Sequence, residues 1–410
     1  MPSVALDGDP VPRTGELPER SLAELGDQPF GFYVHVPFCV TRCGYCDFNT
    51  YTAEELVSRD GTATASRETY ADQAIAEVEL ADRVLGGRRP PVSTVFVGGG
   101  TPTLLPAEDL GRIITAIRDR FGTTPDAELT TEANPETVTP AYLARLREAG
   151  FTRLSFGMQS ARPHVLRVLE RGHTPGRPEQ CVEWAREAGF AHVNLDLIYG
   201  TPGESDDDWR ASLEAAVGAG PDHVSAYSLI VEEGTRLAAR VRRGELTEPD
   251  DDTMADRYLM ADEILSAAGF TAYEVSNWAR TPEGRSAHNL LYWTGGHWWG
   301  VGPGAHSHVG GTRWWNVKHP AAYAARLAAG DSPGLAREVL TEQERRFERI
   351  LLELRVERGC PLDLLEPHGR AAAERAVAEG LLEAEAHTAG RAVLTRRGRL
   401  LADAVARDLT

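Results

Sequence analysis

From Gly31 onward, short apolar runs alternate with longer stretches in which apolar residues recur every three or four positions. The runs Phe32–Val36, Thr94–Val97, Glu128–Glu132, Arg153–Phe156, His192–Leu197 and His223–Leu229 are rich in Val, Phe, Leu or Thr, and predict strands. The segments Glu68–Leu85, Ala107–Phe121, Pro140–Ala149, Arg177–Ala188 and Asp206–Gly218 carry the helical period. Gly150, Gly189 and Gly220 stand where helices stop. Six strand–helix units imply a parallel sheet, because helical crossovers return the chain to the same edge. An open doubly wound sheet and a partial barrel both fit, and both place a ligand site at the carboxyl ends of the strands. Beyond Tyr227 the rhythm changes. Glu232–Arg243 and Asp251–Ala268 predict helices. After Leu340, helical runs (Thr341–Val356, Arg370–Glu379) lead to a strand pair, Leu381–Ala384 with Ala392–Thr395, and a last helix.

Composition narrows the class. At 410 residues the chain predicts two or three domains, and 42% hydrophobic residues can build a sizeable core. The net charge of −18 argues against nucleic acid as a partner, which requires a cationic face. No apolar run approaches the roughly 20 residues of a membrane span. The N-terminus lacks the apolar core of a signal peptide. Residues 1–28 predict a disordered tail, and few cysteines fit a reducing cytoplasm.

Three of the five cysteines, Cys39, Cys43 and Cys46, form C-x3-C-x2-C in HVPFCVTRCGYCDF. Three thiolates on one loop can hold three irons of a [4Fe–4S] cluster, leaving the fourth open to a small ligand. A zinc knuckle would need a fourth Cys or His at matching spacing, and Asp47–Tyr51 supplies none. Cys181 and Cys360 are isolated and read as buried small hydrophobes. The second strand runs into GGGTPT, where Gly99, Gly100 and Thr101 let backbone N–H groups approach a ligand. Polar residues fall at later strand ends: Glu132, Gln159 and Asp196, with Arg171 on the segment after the fourth strand. Five of the twelve histidines and five of the eight tryptophans crowd between His288 and His319. They suit a flat, large, apolar ligand with a metal or carboxylates at its edge. The bland alternative is a loop-rich aromatic subcore that closes the open side of a barrel, with Trp298, Trp299, Trp314 and Trp315 as packing residues.

The cysteine loop resembles the signature of the radical S-adenosylmethionine (SAM) family, with Tyr45 as the aromatic before the third cysteine. The wider context is similar to the oxygen-independent coproporphyrinogen oxidase-like branch over nearly the whole chain. The resemblance implies an α/β fold. A partial (β/α)6 barrel would span 29–235, an α+β extension 236–335, and a small winged-helix-like domain 336–410. It implies that SAM chelates the open iron and lies among Tyr33, Tyr45, Gly99, Gly100, Thr101, Glu132, Gln159, Arg171 and Asp196, with His306 nearby. His288-Asn289-Leu-Leu-Tyr292-Trp293 matches the H-N-x-x-Y-W segment of the heme-chaperone members, which implies His288 as an axial heme ligand. The oxidase members carry another cysteine where Phe48 stands here, and lack H-N-x-x-Y-W. Both departures favour a heme chaperone that passes heme to a respiratory acceptor protein over a coproporphyrinogen dehydrogenase. A homodimer and peripheral membrane contact stay open.

Overall fold

The computed structural model describes residues 8–26, 28–57 and 65–410. Six parallel strands follow one another in both sequence and space: β1 (Phe30–Val36), β2 (Val92–Gly99), β3 (Thr123–Ala133), β4 (Arg153–Gln159), β5 (His192–Tyr199) and β6 (His223–Ser228). The main connecting helices are α1 (Arg67–Val84), α2 (Ala107–Phe121), α3 (Pro140–Glu148), α4 (Arg177–Glu187) and α5 (Asp206–Gly218). In α2, Leu110, Ile113, Ile114, Ile117 and Phe121 recur at helical spacing and are all buried. Each such side chain contributes about 1.5–3 kcal/mol by leaving water.

The strands are buried on both faces, but the faces differ chemically. Phe32, Val34, Val36, Val95, Val97, Leu154, Phe156, Val193 and Leu195 join the apolar core. The alternate positions are polar: Thr94, Glu128, Thr130, Ser155, Asn194, His223 and Ser225 are buried in the barrel interior. This polar lining creates a second core that must be satisfied by hydrogen bonds.

The barrel stays open, and its sheet continues past β1. Strand β7 (His297–Val301) pairs parallel to β1, followed by antiparallel β8 (His306–Val309), β9 (Thr312–Asn316) and β10 (Gly334–Val339). The other edge ends in Asn277–Ala279 and Thr271–Ala272. The aromatic window is therefore an ordered meander, not a loop-rich subcore: its Gly-Pro-Gly and Gly-Gly pairs are the turns between strands. Trp299, Trp314 and Trp315 are buried as expected, whereas Trp298 is half-buried.

Two other expectations need correction. The tail is folded from Gly8: Asp9–Pro10 pairs with β10, and Leu22 and Leu25 of the segment around helix Glu19–Ala23 enter the core. Residues 1–7 and 27 lie outside the described residues. In the C-terminal part, which has its own hydrophobic cluster from Ile350 to Leu409, the paired strands are Cys360–Pro361 and Arg391–Ala392. Leu382 and Leu394 make one isolated bridge, and Ala384–Thr388 is helical. The sequence AEAHT, with its helix formers, fills the segment between the two expected strands. Cys181 and Cys360 are both buried. No described helix is long and apolar enough to cross a membrane.

Glu77 on α1 locks the extension to the barrel. Its carboxyl accepts from Gly302 N (2.8 Å), Asn316 Nδ2 (2.7 Å) and Tyr323 Oη (2.5 Å), and burial pushes it up to about 7. Glu77→Ala strands these donors in a dry site and is expected to cost about 3 kcal/mol. Denaturant unfolding of the variant checks this; a loss below about 1 kcal/mol would contradict the lock.

Candidate functional site

The cysteine loop leaves β1 and is closed by Tyr51 N–H to Pro37 O (2.7 Å) and Cys39 N–H to Tyr51 O (3.0 Å). Its middle is fixed by Gly44, whose N–H donates to Leu169 O (3.0 Å) and whose carbonyl accepts from Leu237 N (2.8 Å). Tyr45 packs with Val165, Leu169, Ile198, Leu229 and Leu237. The glycine turn after β2 meets the loop through backbone alone. Gly100 N–H donates to Val36 O (2.7 Å) and Thr101 N–H to Phe38 O (2.8 Å). A Cβ at Gly100 would lie 2.5 Å from Phe38 O and 3.1 Å from Cys39 Sγ, so only glycine fits.

Loop and turn roof a cavity of about 920 Å³ at the carboxyl ends of the strands. Cys39, Cys43, Cys46, Tyr45, Gly99, Gly100, Thr101, Glu132, Gln159, Arg171 and Asp196 all line it. Residues far apart in sequence thus converge where a parallel α/β sheet places its ligands.

The three thiols fit an iron–sulfur cluster. They are soft donors on one loop, and no fourth cysteine lines the cavity. Among the described residues no three His, Cys, Asp or Glu side chains are grouped to hold a single metal ion. Burial, then the Cys46 thiol nearby, pushes Cys39 up to about 11, so ligation must remove protons against that preference. Arg171 lies beside the loop, with Nη1 3.5 Å from Cys43 Sγ and Nη2 donating to Gly157 O (3.2 Å).

Two carboxyls face the same space. Glu132 accepts from Gly99 N–H (2.9 Å), and burial, reinforced by Asp196, pushes it up to about 8. Asp196 is also raised by burial, against hydrogen bonds from Ser155 and Asn194 (both 2.8 Å). Gln159 is buried in the left-handed region at φ 63°, where the β4–β5 register shifts. Such strain at a strand end marks a functional position.

The remaining expected residues lie elsewhere. Tyr33 points into the barrel, its hydroxyl 2.9 Å from His35 Nδ1 and its ring stacked on Phe96, and it does not line the cavity. The helix Ala287–Trp293 plugs the barrel: Glu128 accepts from Ala287 N (3.0 Å) and His288 N (3.1 Å) at its start. His288 is only 1% exposed. Its Nδ1 lies 2.8 Å from Thr94 Oγ1, its Nε2 2.8 Å from Tyr292 Oη, and its ring stacks on Phe96. Burial pushes it down to about 3. Both ring nitrogens are thus engaged within the fold in this conformation. Asn289, Tyr292 and Trp293 remain partly exposed.

Sequence reasoning missed Ser155, Asn134, Tyr227 and Ile230 in the lining. Ser155 was findable, because it alternates with Arg153 on the inner face. The mouth was not foreseen: Val40 (71% exposed), Phe48 (59%), Ile230 (63%) and Tyr227 (41%) form an apolar rim.

The Radical SAM superfamily profile matches residues 33–216. Heme chaperone HemW of Mycobacterium tuberculosis is 55% identical over 396 residues, covering 96% of this chain and 97% of that protein. Heme chaperone HemW of Bacillus subtilis is 34% identical, covering 80% and 83%. The structure of coproporphyrinogen III oxidase (HemN) from Escherichia coli superposes with a TM-score of 0.79 over 95% of this chain and 92% of that one, at 22% identity. That likeness shows the fold.

Gly100→Ala is expected to lower the iron content after anaerobic reconstitution at least fivefold, while the circular dichroism of the fold is kept. Wild-type iron content in this variant would contradict the backbone contact between loop and turn.

Proposed function

The chain belongs to the radical SAM superfamily and to the family of the HemW relatives within it, and from that premise we propose that it is a heme chaperone. In this reading it holds a [4Fe–4S] cluster on Cys39, Cys43 and Cys46, binds SAM in the adjoining cavity, and passes heme to an acceptor protein of the respiratory system. The observation that carries the reading is the convergence of three thiols, the glycine turn and two strand-end carboxyls on one cavity. The heme part is supported by relatives named as heme chaperones, which align along almost the entire chain.

The cavity's own residues suit SAM. When bound, the cluster would supply a Lewis-acidic, redox-active iron for the amino and carboxylate groups of SAM. The chain supplies the rest. Gly99, Gly100 and Thr101 offer close backbone approach. Glu132 and Asp196 are two of six acidic residues that line the cavity against the single guanidinium of Arg171, a balance that favours a cationic ligand. Phe48 stands exposed at the mouth where the oxidase pattern has a cysteine. The superposition on the oxidase supports only the shared fold, so porphyrinogen decarboxylation has no separate observation in its favour.

Two measurements test this. Anaerobically reconstituted protein is expected to bind heme with a defined Soret band and to deliver it to an apo-cytochrome. Formation of protoporphyrinogen from coproporphyrinogen III with SAM and dithionite would overturn the chaperone reading. For SAM, Glu132 must ionise to face a cation, and its free-protein value is about 8. Below that value, binding therefore requires loss of a proton. Wild-type affinity should rise with pH by up to about tenfold per unit until near 8 and then level off. In Glu132→Gln that component should vanish and affinity fall about tenfold; identical pH profiles would exclude Glu132 from the site.

A further inference from the structure

The heme reading above leaves open which residue meets the iron, and hydrogen bonding separates the five histidines between 288 and 319. His288 has both ring nitrogens engaged, as described. His297 has Nε2 3.2 Å from Glu24 O and Nδ1 accepting from Gly310 N (3.3 Å). His308 has Nδ1 2.8 Å from Gly296 O and Nε2 accepting from Gly311 N (3.3 Å). His319 uses Nδ1 to cap a helix, accepting from Ala321 N (3.2 Å). His306 differs: its side chain is exposed, and no described residue hydrogen-bonds or ion-pairs with either ring nitrogen.

His306 is also held in place. Its ring stacks on Trp315, with centroids 5.8 Å apart and planes at 24°. Strand pairing sets the face it shares. His306 pairs with Trp315 and His308 with Trp298, and paired residues project to the same side. Trp298 donates its Nε1 hydrogen to His306 O (2.9 Å). The Trp298 ring meets Tyr292 edge-on at 4.6 Å. The H-N-x-x-Y-W segment therefore reaches His306 through Trp298, even though its own histidine is buried.

We propose that His306 supplies the axial nitrogen to the iron of bound heme, with the macrocycle against Trp298 and Tyr292 on the open side of the sheet and its propionates towards Lys318. This rests on the heme-chaperone reading. The bond is a dative one from a neutral imidazole to iron, so no electron or proton need move. Partial enclosure of the ring, with the Lys318 and Arg313 cations nearby, lowers the His306 imidazole from its ordinary value. Lys318 has no ion-pair partner among the described residues, and suits a carboxylate. Arg313 is already paired with Glu338 and Glu348. The apolar rim of the cavity offers surface to a porphyrin but no imidazole.

The test is a titration of full-length, reconstituted protein with hemin, followed by absorption and electron paramagnetic resonance. His306→Ala is expected to weaken binding at least tenfold and to lose the imidazole-ligated spectrum. Adding free imidazole to His306→Gly should restore that spectrum, which a merely structural role would not do. His319→Ala should bind like wild type. Wild-type affinity and spectrum in His306→Ala would overturn the proposal. So would loss of heme in Phe48→Ala and Ile230→Ala with His306→Ala unaffected, or loss confined to His288→Ala. If the wild-type protein binds no heme at all, the heme-chaperone reading itself fails, a distinct result.

Discussion

Two backbone hydrogen bonds hold the candidate site together: Gly100 N–H to Val36 O and Thr101 N–H to Phe38 O. They join the first two strand ends before any side chain takes part. Because the contact is backbone to backbone, it fixes the thiol loop over the barrel mouth with little freedom. It also demands a residue without Cβ at 100. Everything placed around the cavity assumes that spacing. Glu132 reaches Gly99 N–H, and Arg171 reaches both Cys43 and Gly157, only because loop and turn sit at this depth.

Beneath the cavity, the barrel is filled by a polar network in place of an oily core. From Asp196 the contacts run to Asn194 (2.8 Å), His223 (2.6 Å) and Tyr273 (2.7 Å). Tyr273 Oη accepts from Ser286 N (3.2 Å), and Glu128 collects the N–H groups that open the helix Ala287–Trp293. A buried network of this kind is costly if broken and specific when complete. It explains why His223 and His288 are held far below the ordinary imidazole value: dry surroundings penalise their charge. The floor of the cavity and the H-N-x-x-Y-W helix are thus parts of one hydrogen-bonded body.

Much of this was legible in the sequence because it depends on local signals. Strand–helix alternation gave the six parallel strands within a few residues, and the cysteine spacing and glycine turn marked the roof of the cavity. Glu132, Gln159, Arg171 and Asp196 were legible as polar residues at strand ends. Long-range pairing was not. The meander β7–β9 looked like loop because its strands are four or five residues long and crowded with glycine and histidine. His288 looked like a ligand because a motif shows residue type and not burial. Only the fold shows Thr94, Tyr292 and Phe96 closing around it. The tail looked disordered because its partner strand, β10, lies more than 300 residues away.

In the proposed reading the two ligand surfaces are electrostatic opposites, and that opposition follows from what each would hold. A sulfonium cofactor carries a permanent positive charge, and an acidic cavity lining with one guanidinium would suit it. A heme carries two propionates and a metal that prefers a neutral nitrogen. In the proposal the outer sheet would offer it an imidazole, an indole and a lysine in a chain whose net charge is −18. If both ligands shared one pocket, the carboxyls favouring the first would repel the second by roughly a kilocalorie per close pair even in water, and more in a dry site. In the proposed reading, continuing the sheet past β1 would resolve that conflict by placing the second surface outside the cavity, whose lining lacks Trp298, His306 and Lys318.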